Sequence, residues 1–399
     1  MKLLVALLPI LFCIAVAPAF AADGQATPQE IDKLIAQLES EDFDTRQAAT
    51  EKLKSAGEGA LEALHKASVG GNAEAAFRAP KVIASIQKTL AGPLRVMEGK
   101  QGRILCVAFD QVSMKIASGS YDASIRICDV ATGKELHRLE GHKDIVFAVA
   151  FSPDGGHLLS CSGGSFVKGV WGEGGDYTIR LWSLKTGKEV RQLGEQQKDW
   201  VMALAFSPDG KTAASGNRNK DTVVRLWNVE TGKEIKQFKG HTGAMRSIAF
   251  SPDGAALATA ADDQTIRTWN VSTGKELKVF AGHRGVVNRV AYSADGKTLI
   301  SASQDYTIRT WNPENGKELT QSEGRGGIVL KLTFAEGGTR GLSSCADETI
   351  RVWNLASGAE LRRFEGRAGI SDAMASSADG KFLATGSLDG TVRIWKMPP

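Results

Sequence analysis

Cysteine is scarce here: five residues in 399, one of them, Cys13, within an apolar N-terminal run. The other four, Cys106, Cys128, Cys161 and Cys345, form no Cys-x-x-Cys pair, so neither a thiolate metal site nor covalent haem attachment is encoded. Also missing are a Gly-x-Ser-x-Gly elbow, a His-Glu-x-x-His pair, a phosphate-cradling glycine loop and a calcium loop. No cofactor and no catalytic residue is therefore expected. Charge of one sign is lacking too. With 49 Lys and Arg against 45 Asp and Glu, the chain carries no concentrated basic stripe of the kind nucleic-acid binding needs. Beyond the N-terminus, no apolar run is long enough to span a bilayer.

What the chain has is a period. Aspartates stand at Asp122, Asp176, Asp221, Asp263, Asp305, Asp347 and Asp389, the last five at intervals of 42 residues. Six residues after each comes a tryptophan (Trp182, Trp227, Trp269, Trp311, Trp353, Trp395), except that Cys128 follows Asp122. Between these marks run short β-rich segments separated by turns such as Ser251-Pro252-Asp253-Gly254 and Thr273-Gly274. There Pro presets φ and Gly supplies a positive φ. Thr307 to Trp311 alternates with the period of a strand, and each unit holds four such segments.

A four-stranded unit of this length, with Gly141-His142, Gly240-His241 or Gly282-His283 near its start and Trp-Asn pairs such as Trp269-Asn270 near its end, resembles the WD40 repeat. The resemblance covers Pro93 to Trp395 and implies an all-β, seven-bladed propeller over 92–399. It also implies a hydrogen-bonded set of His, Ser or Thr, Asp and Trp inside each blade. By alignment only the fifth repeat holds all four, as His283, Ser303, Asp305 and Trp311. Lys100, Arg325 and Arg367 replace the histidine elsewhere, and Ala261 or Cys345 the serine, so those aspartates are expected to bond turn amides instead. A recurring Asp, His and Ser would also suit a hydrolase. Repetition around the ring and burial within blades favour a structural role.

The chain stops just after Trp395, which leaves the seventh repeat without a fourth strand. Leu94 to Gly99 matches Leu361 to Gly366, the fourth strand of the sixth repeat, and is expected to close the ring from the other end. The four cysteines then fall on strands too far apart to bridge, as buried small side chains.

Residues 1–21 have the charged start, apolar core and small-residue ending of a secretory signal peptide cleaved after Ala21. A secreted or periplasmic protein is thus expected. Over 22–91 the period becomes helical, opening on Thr27-Pro28-Gln29-Glu30, a cap, an N1 proline and an N3 acid. Helices are expected from Pro28, over about Phe43 to Ala56 and about Gly59 to Ser68, with Pro80 starting or interrupting a fourth. Arg46, Ala49, Leu53, Leu61 and Leu64 resemble a HEAT-type helical pair.

Function is sought where the repeat departs from itself. Trp182 lies 54 residues after Cys128, and much of the surplus is Gly163 to Gly175, which carries Phe166 and Trp171. Asn217 to Lys220 is a smaller surplus at the corresponding place in repeat three. Both fall on the edge that in WD40 families forms the partner-binding face. Leu105, Ile145, Phe147, Trp200 and Met202 align on that rim in repeats one to three, whereas Arg246, Asn288 and Asp372 stand there in others. The expectation is a non-catalytic scaffold docking a protein or peptide through Trp171, Trp200, Phe147, Phe166 and Met202, with Tyr121, Lys220 and Arg246 supplying polar contacts. The alternative, a small-ligand binder or a propeller hydrolase or lyase, requires histidine and acidic residues at the channel mouth.

Overall fold

The computed structural model describes residues 26–68, 73–90, 93–98, 102–167, 170–218, 221–323, 328–335, 339–365, 371–377 and 379–397. The leader over 1–21 lies outside these, as do Lys100, Arg325, Arg367 and Lys220. The chain forms two compact units, 1–90 and 91–399.

The first unit is helical: α1 (Pro28–Gln37), α2 (Phe43–Ala56), a 3-10 turn (Gly57–Ala60), α3 (Leu61–Ser68) and α4 (Ala73–Leu90). Thr27 and Glu30 make the reciprocal capping box, Thr27 N donating to Glu30 Oε2 at 2.7 Å and Glu30 N to Thr27 Oγ1 at 3.3 Å. Ile31, Leu34, Leu38, Leu53, Leu64 and Ile86 form its core. Pro80 does not break the fourth helix, which starts at Ala73 and runs through it. Ala79, Val82, Ile83 and Ile86 bury one face of α4, and that packing outweighs the carbonyl partner Pro80 fails to supply.

The second unit holds seven four-stranded antiparallel sheets. Six are contiguous: blade one (104–139), two (146–192), three (201–238), four (245–280), five (287–323) and six (329–365). Blade seven takes three strands from 371–396 and its outermost, Arg95–Met97, from the other end of the propeller sequence. Arg95 pairs with Ile394 and Met97 with Val392. The innermost strands touch their neighbours all the way round, the seventh meeting the first, so the ring is closed. Apolar clusters fill each interface between blades. Phe238 of blade three lies 5.9 Å from Trp269 of blade four, and Phe280, Phe364 repeat the contact with Trp311 and Trp395 at the same spacing.

Three of the four cysteines are buried and Cys106 is mostly so, its Sγ lying 3.6 Å from Val146 O of the next blade; all four are free thiols. Burial pushes the Cys106 thiol up to about 12, so it is no nucleophile at neutral pH.

Candidate functional site

Two sets of side chains recur around the ring, one inside the blades and one at the channel mouth. Inside blade five, His283 Nδ1 donates to Asp305 Oδ2 at 2.9 Å, and Trp311 Nε1 donates to Ser301 Oγ at 2.8 Å. Ser301 Oγ is 2.7 Å from His283 Nε2. The indole N–H occupies the serine as acceptor and the carboxylate takes the Nδ1 proton, so the hydroxyl donates to Nε2. The serine is therefore Ser301, not Ser303. Trp311 pairs across the sheet with Leu299, which brings its indole over position 301, whereas Ser303 sits at the turn, donating to Gly285 O at 3.1 Å.

The same two-residue correction shows that blade five is not alone. His142, Ser160, Asp176 and Trp182 form the set in blade two, and His241, Thr259, Asp263 and Trp269 in blade four. Gly141, Gly240 and Gly282 precede these histidines because a Cβ there would stand 3.0–3.2 Å from the tryptophan Cη2. Against the upward push of burial, hydrogen bonds hold all three carboxylates well below the usual range, those from His142 and His241 foremost for Asp176 and Asp263, and those from the Arg284 amide, Thr307 and His283 for Asp305. Burial also pushes His142 and His283 down, despite their aspartates. Ser160 and Ser301 are fully buried, each donating to its histidine and accepting from its tryptophan. A chain of donors so closed offers no nucleophile to a substrate.

Where histidine is not in place, the aspartate finds an arginine four residues on. Arg351 Nη2 donates to Asp347 Oδ2 at 2.6 Å and Arg393 Nη2 to Asp389 Oδ2 at 2.6 Å, and Arg225 bonds Asp221 likewise. The expected turn amides contribute as well, Thr349 N to Asp347 at 3.0 Å and Thr391 N to Asp389 at 3.0 Å. In blade one, which has Cys128 for tryptophan, Asp122 accepts from Ser120 and Ser124.

The second set is made by β-bulges. In every innermost strand the pairing slips after the first residue, leaving the second unpaired. Leu105, Phe147, Met202, Arg246, Asn288, Leu330 and Asp372 are these residues. A bulge re-aims a side chain. Six of the seven line one recess of about 370 Å³ at the channel mouth, joined by Arg103, Tyr121, Trp200, Arg218, Gln304 and Lys331. The Asp372 side chain lies outside the described residues.

Tyr121, Phe147, Trp200, Met202 and Arg246 are thus brought together. Ile145 is buried. Trp200 has another role than an exposed anchor: it is only 8% exposed, stacks on Phe147 at 5.7 Å, and donates from Nε1 to Glu173 O at 2.9 Å. Gly163 and Gly164 close over it. A Cβ on Gly164 would come within 2.5 Å of the indole, and its φ of +62° independently favours glycine. The insertion that follows folds as a two-stranded hairpin, Ser165–Val167 with Val170–Gly172, in which Phe166 pairs with Trp171. The side chains of Phe166 and Trp171, and all of Lys220, lie outside the described residues. Trp200 thus holds both bases of that hairpin, Gly163 and Gly164 before it and Glu173 after it.

Sequence reasoning missed Arg103, Arg218, Gln304, Leu330 and Lys331. Asn288 and Leu330 stand in register with Leu105 and Phe147 and were legible from the repeat. Arg246 is held bidentately by Asp262, Nη2 to Oδ2 at 2.9 Å. Arg218 lies over Trp200 at 4.1 Å and Arg103 over Tyr121 at 5.5 Å. Among the described residues, neither histidine nor carboxylate lines the recess. Among the described residues, no three of His, Cys, Asp and Glu are grouped to hold a metal ion, and no helix is long and apolar enough to cross a membrane.

The family described as WD domain, G-beta repeat matches residues 91–129, 133–183, 187–228, 232–270, 274–312 and 358–396, more than half the chain. The unmatched stretch, 313–357, nonetheless completes blade five and most of blade six. Among similar proteins, WD repeat and SOCS box-containing protein 1 of Homo sapiens is 31% identical over 28% of this chain and 24% of its own length. Small ribosomal subunit protein RACK1y of Oryza sativa subsp. japonica is 30% identical over 44% and 50%. Cell division cycle 20.1, cofactor of APC complex, of Arabidopsis thaliana is 32% identical over 38% and 32%. The chain spans between a quarter and a half of the length of these relatives. With seven four-stranded blades and the family's repeat over most of them, the chain belongs to the WD-repeat family.

Proposed function

We infer that this protein is a non-catalytic interaction scaffold that docks a partner protein or peptide at the channel mouth. The observation that carries the reading is the convergence of six bulged strand residues on one recess, flanked by a hairpin seated on Trp200. Bulges spend pairing in every blade to aim side chains at a single point, and large apolar groups at a concave mouth are typical interface anchors. Two relatives bear names that place them in multi-component assemblies, a ribosomal subunit and a complex. The hydrolase or lyase reading calls for histidine and acidic residues converging at this mouth, and among the described residues its lining holds neither.

Affinity capture with the full chain tests it. Met202→Glu places a charge on the apolar side of the recess and is expected to lose proteins that the wild type retains; equal capture by both baits would remove the site. Trp171→Ala reports whether the partner reaches the hairpin, and a loss there is expected to be smaller. The periplasmic or extracellular setting is part of the proposal and rests on the leader sequence. N-terminal sequencing of the native protein is expected to begin at Ala22; a chain still starting at Met1 would remove the cleaved leader on which that setting rests.

A further inference from the structure

One position of the fold narrows what docks there, granted that the mouth is a docking face. Just after its bulged residue, each innermost strand carries a position whose residue changes around the ring. It is alanine in blades two, three and seven, Cys106 in blade one and Ser247 in blade four. In the adjacent blades five and six it is Arg289 and Lys331. Both line a throat of about 60 Å³ beneath the mouth. Among the described residues, no Asp or Glu lines the throat or the recess above it, and no carboxylate pairs with Arg289. Burial weakens the hold of Arg289 on its proton, the expected result for a cation kept from water without a counter-charge. Two cations on neighbouring blades, walled by Leu105, Phe147 and Met202, repel each other more than they would in water.

The mouth adds charge in a fixed orientation. Arg103 and Arg218 lie over aromatic rings, and a guanidinium held by its face presents its N–H edge, the geometry that grips a carboxylate. These charges converge on the channel axis and form no stripe along the surface. A nucleic-acid backbone, with phosphates spaced along a line, would meet few of them. The Trp200 and Tyr121 rings already engage arginines, which argues against base stacking on them.

We propose that the channel mouth takes an acidic segment of a partner protein. One Asp or Glu carboxylate enters the throat between Arg289 and Lys331, and flanking acidic residues meet Arg103 and Arg218. The throat has room for about two waters' share of liquid volume, enough for one such head group. The apolar wall covers its methylene stem, which free phosphate lacks.

The test is fluorescence anisotropy of a fluorescein-labelled Gly-Glu repeat peptide titrated with the full chain, beside a Gly-Gln repeat of the same length. The Glu peptide is expected to bind at least tenfold more tightly, to weaken as NaCl rises from 50 to 300 mM, and to resist competition by equal concentrations of inorganic phosphate. Arg289→Met is expected to lose tenfold or more in affinity while Arg289→Lys keeps most of it, and a matched thermal unfolding curve ensures that the loss is one of charge. Equal binding of the two peptides, full affinity in Arg289→Met, phosphate that displaces the Glu peptide stoichiometrically, or no binding of the Glu peptide would each overturn the proposal. Should Met202→Glu abolish partner capture while Arg289→Met does not, the docking face stands and its acidic ligand falls.

Discussion

Blades five and six put the same carboxylate at the same turn and neutralise it in different ways. Asp305 accepts from His283 and from Arg284 N, each at 2.9 Å, while Arg309 stays back at 3.6 Å and bonds Glu318. Asp347, in blade six, draws Arg351 in to 2.6 Å. Arg351 also holds Glu360 at 2.9 Å and is fully buried, whereas the Arg309 side chain is 10% exposed. An arginine four residues past the aspartate is thus held back in histidine blades two and five and is the working partner in blades three, six and seven, while in blade one Ser120 and Ser124 serve instead. What the fold requires is a cation or donor for the turn carboxylate, and either of two residues meets that need.

Truncating the arginines separates the two cases most sharply. Arg351→Met leaves Asp347 with Thr349 alone and Glu360 with Arg363 alone, at a cost of about 3 kcal/mol, the low end for a broken buried pair because both carboxylates keep these partners and remain a quarter exposed. Arg309→Met leaves Asp305 with His283, and about 1 kcal/mol is expected. Urea unfolding of the two variants measures the difference. Equal losses would mean that the partner of the aspartate does not matter to blade stability.

The sequence makes the blades legible because their turns and alternation are local. Pro, Gly and Asp fix the hairpins, and Trp at a fixed offset marks the third strand. The capping box at Thr27 is equally local. The serine was misplaced by two because its identity depends on where the Trp311 indole lies across the sheet, a cross-strand fact that spacing along one strand does not contain. For the same reason the sets at His142 and His241 were counted as incomplete. The mouth was half legible. Phe147 and Met202 follow from repeat register, but Trp200 reads as an exposed anchor until Gly163 and Gly164 are seen to cover it. Arg103 stands in register with Ile145 and Trp200, and Arg218 with Tyr121 and Gln304, since the same amide-to-carbonyl bond recurs as Tyr121 N to Arg103 O, Arg218 N to Trp200 O and Gln304 N to Val286 O. The register is there, but it does not tell which of its positions turn into the mouth.

Serine at 301 against serine at 303 carries the comparison to a smaller scale. Ser301→Ala deprives both Trp311 Nε1–H and His283 Nε2 of a buried partner, and a loss of about 1–3 kcal/mol is expected. Ser303→Ala removes a bond to Gly285 O and one from Asp305 N, at about 1 kcal/mol or less. Thermal unfolding of the pair checks the order, and a more damaging Ser303→Ala would restore the sequence alignment over the observed geometry.

Acid distinguishes the two kinds of blade without mutation, since imidazole titrates in a range where guanidinium does not. Burial lowers His142 and His283 from 6.5, so the folded chain binds fewer protons there than the unfolded one. Their contribution is complete above the unfolded value and is lost as pH falls through the folded value. The linkage slope is at most about 1.4 kcal/mol per pH unit for each histidine. Asp176, Asp263 and Asp305 lie well below 3.8 in the fold, which adds a second window: stability present above 3.8 and lost as pH drops further. Melting temperature should therefore begin to fall below about pH 6.5 and fall again below about pH 4. In the His142→Gln, His283→Gln double variant the upper window should close while the lower one persists. A wild-type melting temperature that stays flat from pH 7.5 to 5 would show that the buried imidazoles accept a proton without cost, and the histidine and arginine blades would then be electrostatically alike.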